Sequence, residues 1–168
     1  IKIPDTPVDY PVVKYSDNEF YLHKNFNKEY QFSGIPFLDY QSNDESVNKI
    51  IYAHNMKNGT MFASLADYED KSFYDAHKNI MYDTLYDKGE YEIVYAFTTK
   101  VGASNEFKYY NYADIESEER FNEYVTQAKS RSFYDTGVNT VYGDSLITLS
   151  TCAYHTSNER FVVIARKK

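Results

Sequence analysis

Residues Asp144 to Thr151 alternate polar and apolar side chains up to Cys152, the only cysteine in the chain. Such a run, rich in Ile, Thr and Leu, fits a half-buried strand and little else. A period of two puts Leu146, Thr148, Ser150 and Cys152 on one face and Ile147 and Leu149 on the other. The run Phe161–Ala165 is β-branched and reads as a second strand. The residues between, Ala153 to Glu159, suffice for a hairpin with a long tip. Cys152 at the end of one strand and Arg160 at the start of the next would then sit side by side. A guanidinium there favours thiolate over thiol, the nucleophilic form of cysteine. A lone cysteine also serves as a small buried hydrophobe, and the residues alone leave both readings open.

The rest of the chain is suited to enclosing such a strand pair. Its 168 residues are enough for one domain with a core of its own, and residues 1–168 are read as that single domain. Nineteen Tyr and eleven Phe with no Trp favour strands. A net charge of −7 argues against a nucleic-acid partner, which needs a basic patch to neutralise phosphates. No stretch has the apolar length of a membrane-spanning helix, and no signal peptide is visible.

Taken in order, Pro4, Pro7 and Pro11 confine the first strand to an edge or interrupt it. Phe20-Tyr21-Leu22 suits a short helical turn, and Ile35 to Tyr40 a strand. Lys49 to His54 reads as a buried strand ending at the histidine, with a turn at Asn58-Gly59. Phe62, Leu65 and Ala66, then Phe73, Ala76 and His77, have helical spacing. Asn79–Tyr86 and Glu90–Thr99 are expected strands joined by a turn at Asp87-Lys88-Gly89. Phe121, Tyr124, Val125 and Ala128 mark one helical stripe, capped by Asp114 or Ser117. The expected fold is mostly β with short helices, a closed eight-stranded β-barrel.

Four histidines compete as acid–base partner for the cysteine. His155 is near Cys152 in sequence but stands on a polar tip. His54 ends an apolar strand before a turn, a more rigid mount. His77 lies by a helical stripe and reads as packing or surface, and His23 has no evident role. Two acidic clusters, Asp67, Glu69, Asp70 and Glu116, Glu118, Glu119, lack the alternation of a calcium loop and read as solvated faces.

Thr148-Leu149-Ser150-Thr151-Cys152, followed by Arg160, resembles the active-site signature of class B sortases. The blocks Val8–Val13, Phe37-Leu38-Asp39-Tyr40 and Ile50–Phe62, with Tyr52-Ala53-His54-Asn55-Met56 inside the last, resemble further blocks of that family in its order. The resemblance implies a sortase-like barrel and a cysteine transpeptidase of Gram-positive cell surfaces. It implies Cys152 as nucleophile, His54 as acid–base group and Arg160 as oxyanion stabiliser, with no metal or other cofactor. The Ala153 amide is expected as a second oxyanion donor and Ser150 as a substrate contact, unless its hydroxyl is satisfied by a neighbour.

The implied partners are a sorting-signal peptide, cleaved after Thr, and an amine of a cell-wall precursor. Alternatives are a pilin lysine as acceptor or, less in keeping with the intact triad, an inactive binding module on the same fold. A papain-like hydrolase is disfavoured, because there the Cys precedes the His. Such enzymes are type II membrane proteins, so an N-terminal anchor preceding Ile1 is expected, with the domain on the extracellular face. Ala53 departs from the family, which usually has Gly there. Residues Asn105 to Tyr110 match its substrate loop poorly, which leaves motif preference open.

Overall fold

Strand-forming residues cluster where the alternation is cleanest, and one curled sheet results. The computed structural model describes residues 1–102, 106–152 and 158–168, residue 152 by its backbone alone. The strands are β1 (Val13–Lys14), β2 (Phe37–Leu38), β3 (Asn48–Tyr52), β4 (Asn79–Asp83), β5 (Lys88–Lys100), β6 (Leu146–Cys152) and β7 (Glu159–Lys167). Their order across the sheet is β1-β2-β3-β6-β7-β5-β4. The mostly β fold is borne out, with seven strands among the described residues where eight were expected.

The prolines explain why β1 is so short and lies at the edge. The chain before it spans from one sheet edge to the other. Lys2 exchanges two backbone hydrogen bonds with Met81 of β4, both 2.8 Å. Ile3 donates its amide to Val8 at 2.9 Å, and the Val13 amide reaches the Pro36 carbonyl beside β2 at 3.1 Å. This segment bridges β4 and β1, and so curls the sheet toward a barrel.

The two faces of the sheet carry separate cores. Ile147 and Leu149 join Ile51, Ile93, Ala96, Val163 and Phe62 on one face. Leu146 joins Ile50, Phe97, Val162 and Ile164 on the other, beneath Phe121, Tyr124 and Ala128. Those last three lie on helix α2 (Glu118–Arg131), whose stripe was legible in the sequence. Ser117 caps it, accepting from the Arg120 amide, and Glu118 and Glu119 occupy its positive end. In β5 a bulge between Ile93 and Tyr95 reverses the alternation, so Ile93 and Ala96 fall on the same side.

Helix α1 (Lys71–Ala76) follows a 3₁₀ helix over Ala63–Glu69. The Asp70 carboxylate caps it by accepting from the Ser72 amide, which holds that carboxyl below its ordinary value. The β4–β5 turn is displaced from the expected site. It runs over Thr84 to Asp87, where the Thr84 amide donates to the Asp87 carbonyl at 2.8 Å. Gly89 belongs to β5 instead. A Cβ there would lie 2.7 Å from the Tyr82 carbonyl and from the Tyr91 ring, so close packing, rather than a turn, selects glycine.

Lys49 is a buried charge, 6% exposed, whose ammonium donates to the Ser46 carbonyl at 3.0 Å. Burial holds its pKa below the ordinary 10.5, with Asp44 opposing the shift. The charged form therefore costs stability at neutral pH, a cost that fades as pH rises through the lowered value toward 10.5. Lys49→Met should raise unfolding stability at pH 7 by about 1 kcal/mol, measured by urea denaturation. The gain should shrink as pH approaches about 10.

Candidate active site

The register of three adjacent strands sets the backbone positions of the three expected residues. β3 and β6 are parallel, with Tyr52 opposite Ser150. The ladder continues through the Ala53 amide, which donates to the Ser150 carbonyl at 3.2 Å. His54 lies two residues beyond Tyr52, and Cys152 two beyond Ser150, so both stand at one level on neighbouring strands. β6 and β7 are antiparallel, and Cys152 is the register partner of Arg160. Strand spacing of about 4.8 Å therefore separates the middle residue from the strand on either side. The sheet brings His54, Cys152 and Arg160 to one edge.

A cleft of about 300 Å³ opens there, lined by His54, Ala53, Ser150, Thr151 and Arg160 among others. His54 is half-buried and its Nε2 lies 2.7 Å from the Leu22 carbonyl oxygen. A carbonyl can only accept, so Nε2 carries a proton and Nδ1 is the nitrogen left for chemistry. The backbone of His54 is held as well. After the turn at Gly59 (φ +82°), the Phe62 amide returns to the His54 carbonyl at 2.9 Å. Leu22 belongs to the 3₁₀ helix Phe20–His23, whose start the Asp17 carboxylate caps by accepting from the Glu19 and Phe20 amides.

Gly34 lets this helix approach. It has φ +57°, and a Cβ there would lie 2.4 Å from the Leu22 oxygen and 2.5 Å from that of Tyr21. Any side chain would displace the carbonyl that holds His54. A second tether comes from Asp39, which is buried and accepts from Tyr52 Oη at 2.9 Å and Asn18 Nδ2 at 2.8 Å. Burial pushes the Tyr52 phenol far above its ordinary value, so it remains a neutral donor.

Ser150 lines the cleft, and its hydroxyl shares a 2.6 Å hydrogen bond with that of Tyr109. The hydroxyl is thus satisfied by a neighbour, as one of the two readings of this serine foresaw, while the residue lines the cleft. Its neighbour on the same face, Thr148, accepts from the Tyr124 hydroxyl at 2.6 Å and donates to Asn48 Oδ1 at 2.7 Å. Tyr109 and Tyr110 line the cleft from the segment that had matched the family loop poorly. Arg160 is half-buried, lines the opposite side and donates from Nη1 to the Glu159 carbonyl at 3.1 Å. Ala153 and His155 lie outside the described residues.

Of the remaining histidines, His77 packs on Phe73 and donates from Nδ1 to the Pro4 carbonyl at 3.1 Å, the packing role expected of it. His23 stacks on His54. That role escaped the sequence reading, and so did those of Leu22, Asn18 and Tyr109 in lining the cleft. No local pattern reveals that a helical turn near residue 20 folds over β3. Among the described residues, no group of three or more His, Cys, Asp or Glu side chains could hold a metal.

A sortase-domain family model matches residues 1–168. Sortase B of Listeria monocytogenes is 38% identical over 154 residues, covering 90% of this chain and 61% of that protein. Sortase B of Staphylococcus aureus is 32% identical over 170 residues, covering 99% and 68%. The chain thus spans about three-fifths of the Listeria protein's length. A Staphylococcus aureus sortase B–substrate complex superposes with TM-score 0.89 at 31% identity, covering 99% of this chain and 77% of that one. A sortase B complexed with triglycine superposes with TM-score 0.90 at 31% identity, covering 99% and 78%. With the whole chain matched and the sheet edge assembled as described, this chain belongs to the sortase family, among its B-class members.

Proposed function

We propose that residues 1–168 are a single catalytic domain of a cysteine transpeptidase that cleaves a sorting peptide after Thr and passes the acyl group to an amine. The observation that supports this reading is the strand register, in which His54 follows β3 by two residues beside Cys152 of β6, itself the partner of Arg160 on β7. In the first step the Cys152 thiolate attacks the threonyl carbonyl. The C–N bond breaks, a thioester forms, and the departing amine takes its proton from His54 Nδ1. In the second, the incoming amine attacks the thioester, the C–S bond breaks, and the amine proton returns to His54. Arg160, permanently charged, stabilises the oxyanion of both tetrahedral intermediates. The Ala153 amide is the second oxyanion donor in this scheme.

The hydrogen bond from His54 Nε2 to the Leu22 carbonyl supports this assignment, because it occupies Nε2 and leaves Nδ1 to give and take the proton. The tyrosine-rich cleft suits an extended peptide with apolar side chains. Ser150 contributes through its hydrogen bond to Tyr109, which lines the same cleft. The triglycine complex of a related sortase B favours a short peptide amine of the wall cross-bridge over a pilin lysine as acceptor. On this reading the domain works on the extracellular face of a Gram-positive membrane.

Mass spectrometry of the protein incubated with a library of sorting peptides tests the reading. A thioester adduct confined to Cys152, discharged by triglycine, is the expected result. Cys152→Ala should form no adduct, and His54→Ala should slow acylation by about 10²- to 10⁴-fold. Turnover by the cysteine variant would refute the nucleophile. Discharge by a pilin subunit and not by triglycine would move the acceptor to a pilin lysine. Arg160→Lys should lose about 10²-fold in kcat, since an ammonium lacks the planar donor fork. A wild-type rate would reduce Arg160 to bulk charge.

A further inference from the structure

We infer that His23 is a positioning residue for His54, an inference that rests on His54 being the acid–base group. The two imidazoles stack with centroids 5.4 Å apart and planes 22° from parallel. His54 is held at one edge by the Leu22 carbonyl, 2.7 Å from Nε2. One hydrogen bond on a ring fixes a point but leaves rotation about the N–H···O axis, and the terminal torsion of histidine is broad. A flat group against the face removes that freedom. The next residue after Leu22 supplies it, so Leu22 and His23 grip one ring by its edge and its face.

His23 is itself built to stand still. Its Nδ1 lies 3.0 Å from the Phe32 carbonyl and so carries a proton donated to it. Its backbone carbonyl accepts from the Gln31 amide at 3.0 Å. The intervening residues fold back as a small hairpin, with Lys24 bridged to Tyr30 and the Asn25 amide donating to Glu29 at 2.9 Å. Phe32 and Tyr30 flank the His23 ring at 6.0 and 6.4 Å.

These groups do little for the core. His23 is exposed, and Phe32 and Tyr30 are 67% and 77% exposed. An aromatic row left in solvent gains little from burial. What it does provide is a wall that runs outward from the one imidazole at the sheet edge. That placement is why His23 is assigned to the site and not to stability. His23 is not among the residues that line the cleft, so its action passes through His54.

The test is steady-state transpeptidation by three variants, with thermal melting as a check on folding. His23→Ala should lower kcat about three- to tenfold, the effect of losing one aromatic pair, with KM and melting temperature near wild type. His23→Phe keeps a flat ring and should recover kcat to within about twofold, whereas His23→Leu, similar in bulk but not flat, should resemble His23→Ala. An unchanged kcat in His23→Ala beside an inactive His54→Ala would overturn this inference alone. Equal losses in the Phe and Leu variants would overturn it too. An active His54→Ala would overturn the assignment of His54 and the inference together.

Discussion

The hydrogen bond between His54 Nε2 and the Leu22 carbonyl is the contact through which sequence, fold and chemistry meet. It decides which imidazole nitrogen is available, and it ties the residue-20 helix to the end of β3. It exists only because Gly34 permits the Tyr21 and Leu22 carbonyls to come within 2.5 Å of where a Cβ would stand. A glycine outside the site thus sets the tautomer inside it. In many acid–base sites a carboxylate orients the histidine. Here a neutral carbonyl does so, which fixes the tautomer without placing a full negative charge beside the imidazole.

The sheet supplies the coarser positioning. β6 lies between a parallel neighbour, β3, and an antiparallel one, β7. His54, remote in sequence and two residues past the end of β3, therefore stands beside Cys152 and Arg160. The face that carries Ser150 and Thr148 is roofed by α2 and the Tyr109–Tyr112 helix, and polar atoms there pair with Tyr109, Tyr124 and Asn48. Buried hydroxyls left unpaired would each cost about 1–3 kcal/mol. Their pairing lets a strand with Thr and Ser at inward positions remain stable while ending at a reactive site.

The strands around the cysteine were legible because period-two alternation, β-branching and a lone cysteine coincide over a few residues. The α2 stripe was legible for a similar reason, with Ser117 and two glutamates marking its start. What escaped were effects with no local pattern. Gly89 looks like a turn residue and is a packing residue, because its reason is the Tyr82 carbonyl on the paired strand and the Tyr91 ring two residues along its own. The bulge in β5 reverses alternation with no sequence mark. His23 looked idle because its partner, His54, is remote in the sequence, and only the tertiary fold brings the rings together.

Positioning in this molecule is therefore divided between two devices with different tolerances. Strand register holds the Cα atoms through many backbone hydrogen bonds, and no single side-chain change undoes it. The orientation of one ring rests on few contacts: a carbonyl at its edge, an imidazole on its face and a glycine behind the carbonyl. A displacement of about 1 Å in such a group can cost about 10²-fold in rate, far more than it would cost in stability. On the proposed assignment of His54, changes at Leu22, His23 and Gly34 act on rate through the orientation of that ring. The helix that bears two of them is held by caps and polar tethers, from Asp17 and from Asn18 to Asp39, and by the packing of Phe20, Tyr21 and Leu22 against Ile35 and Phe37. That mode of attachment sets an orientation, which is what the imidazole needs from it.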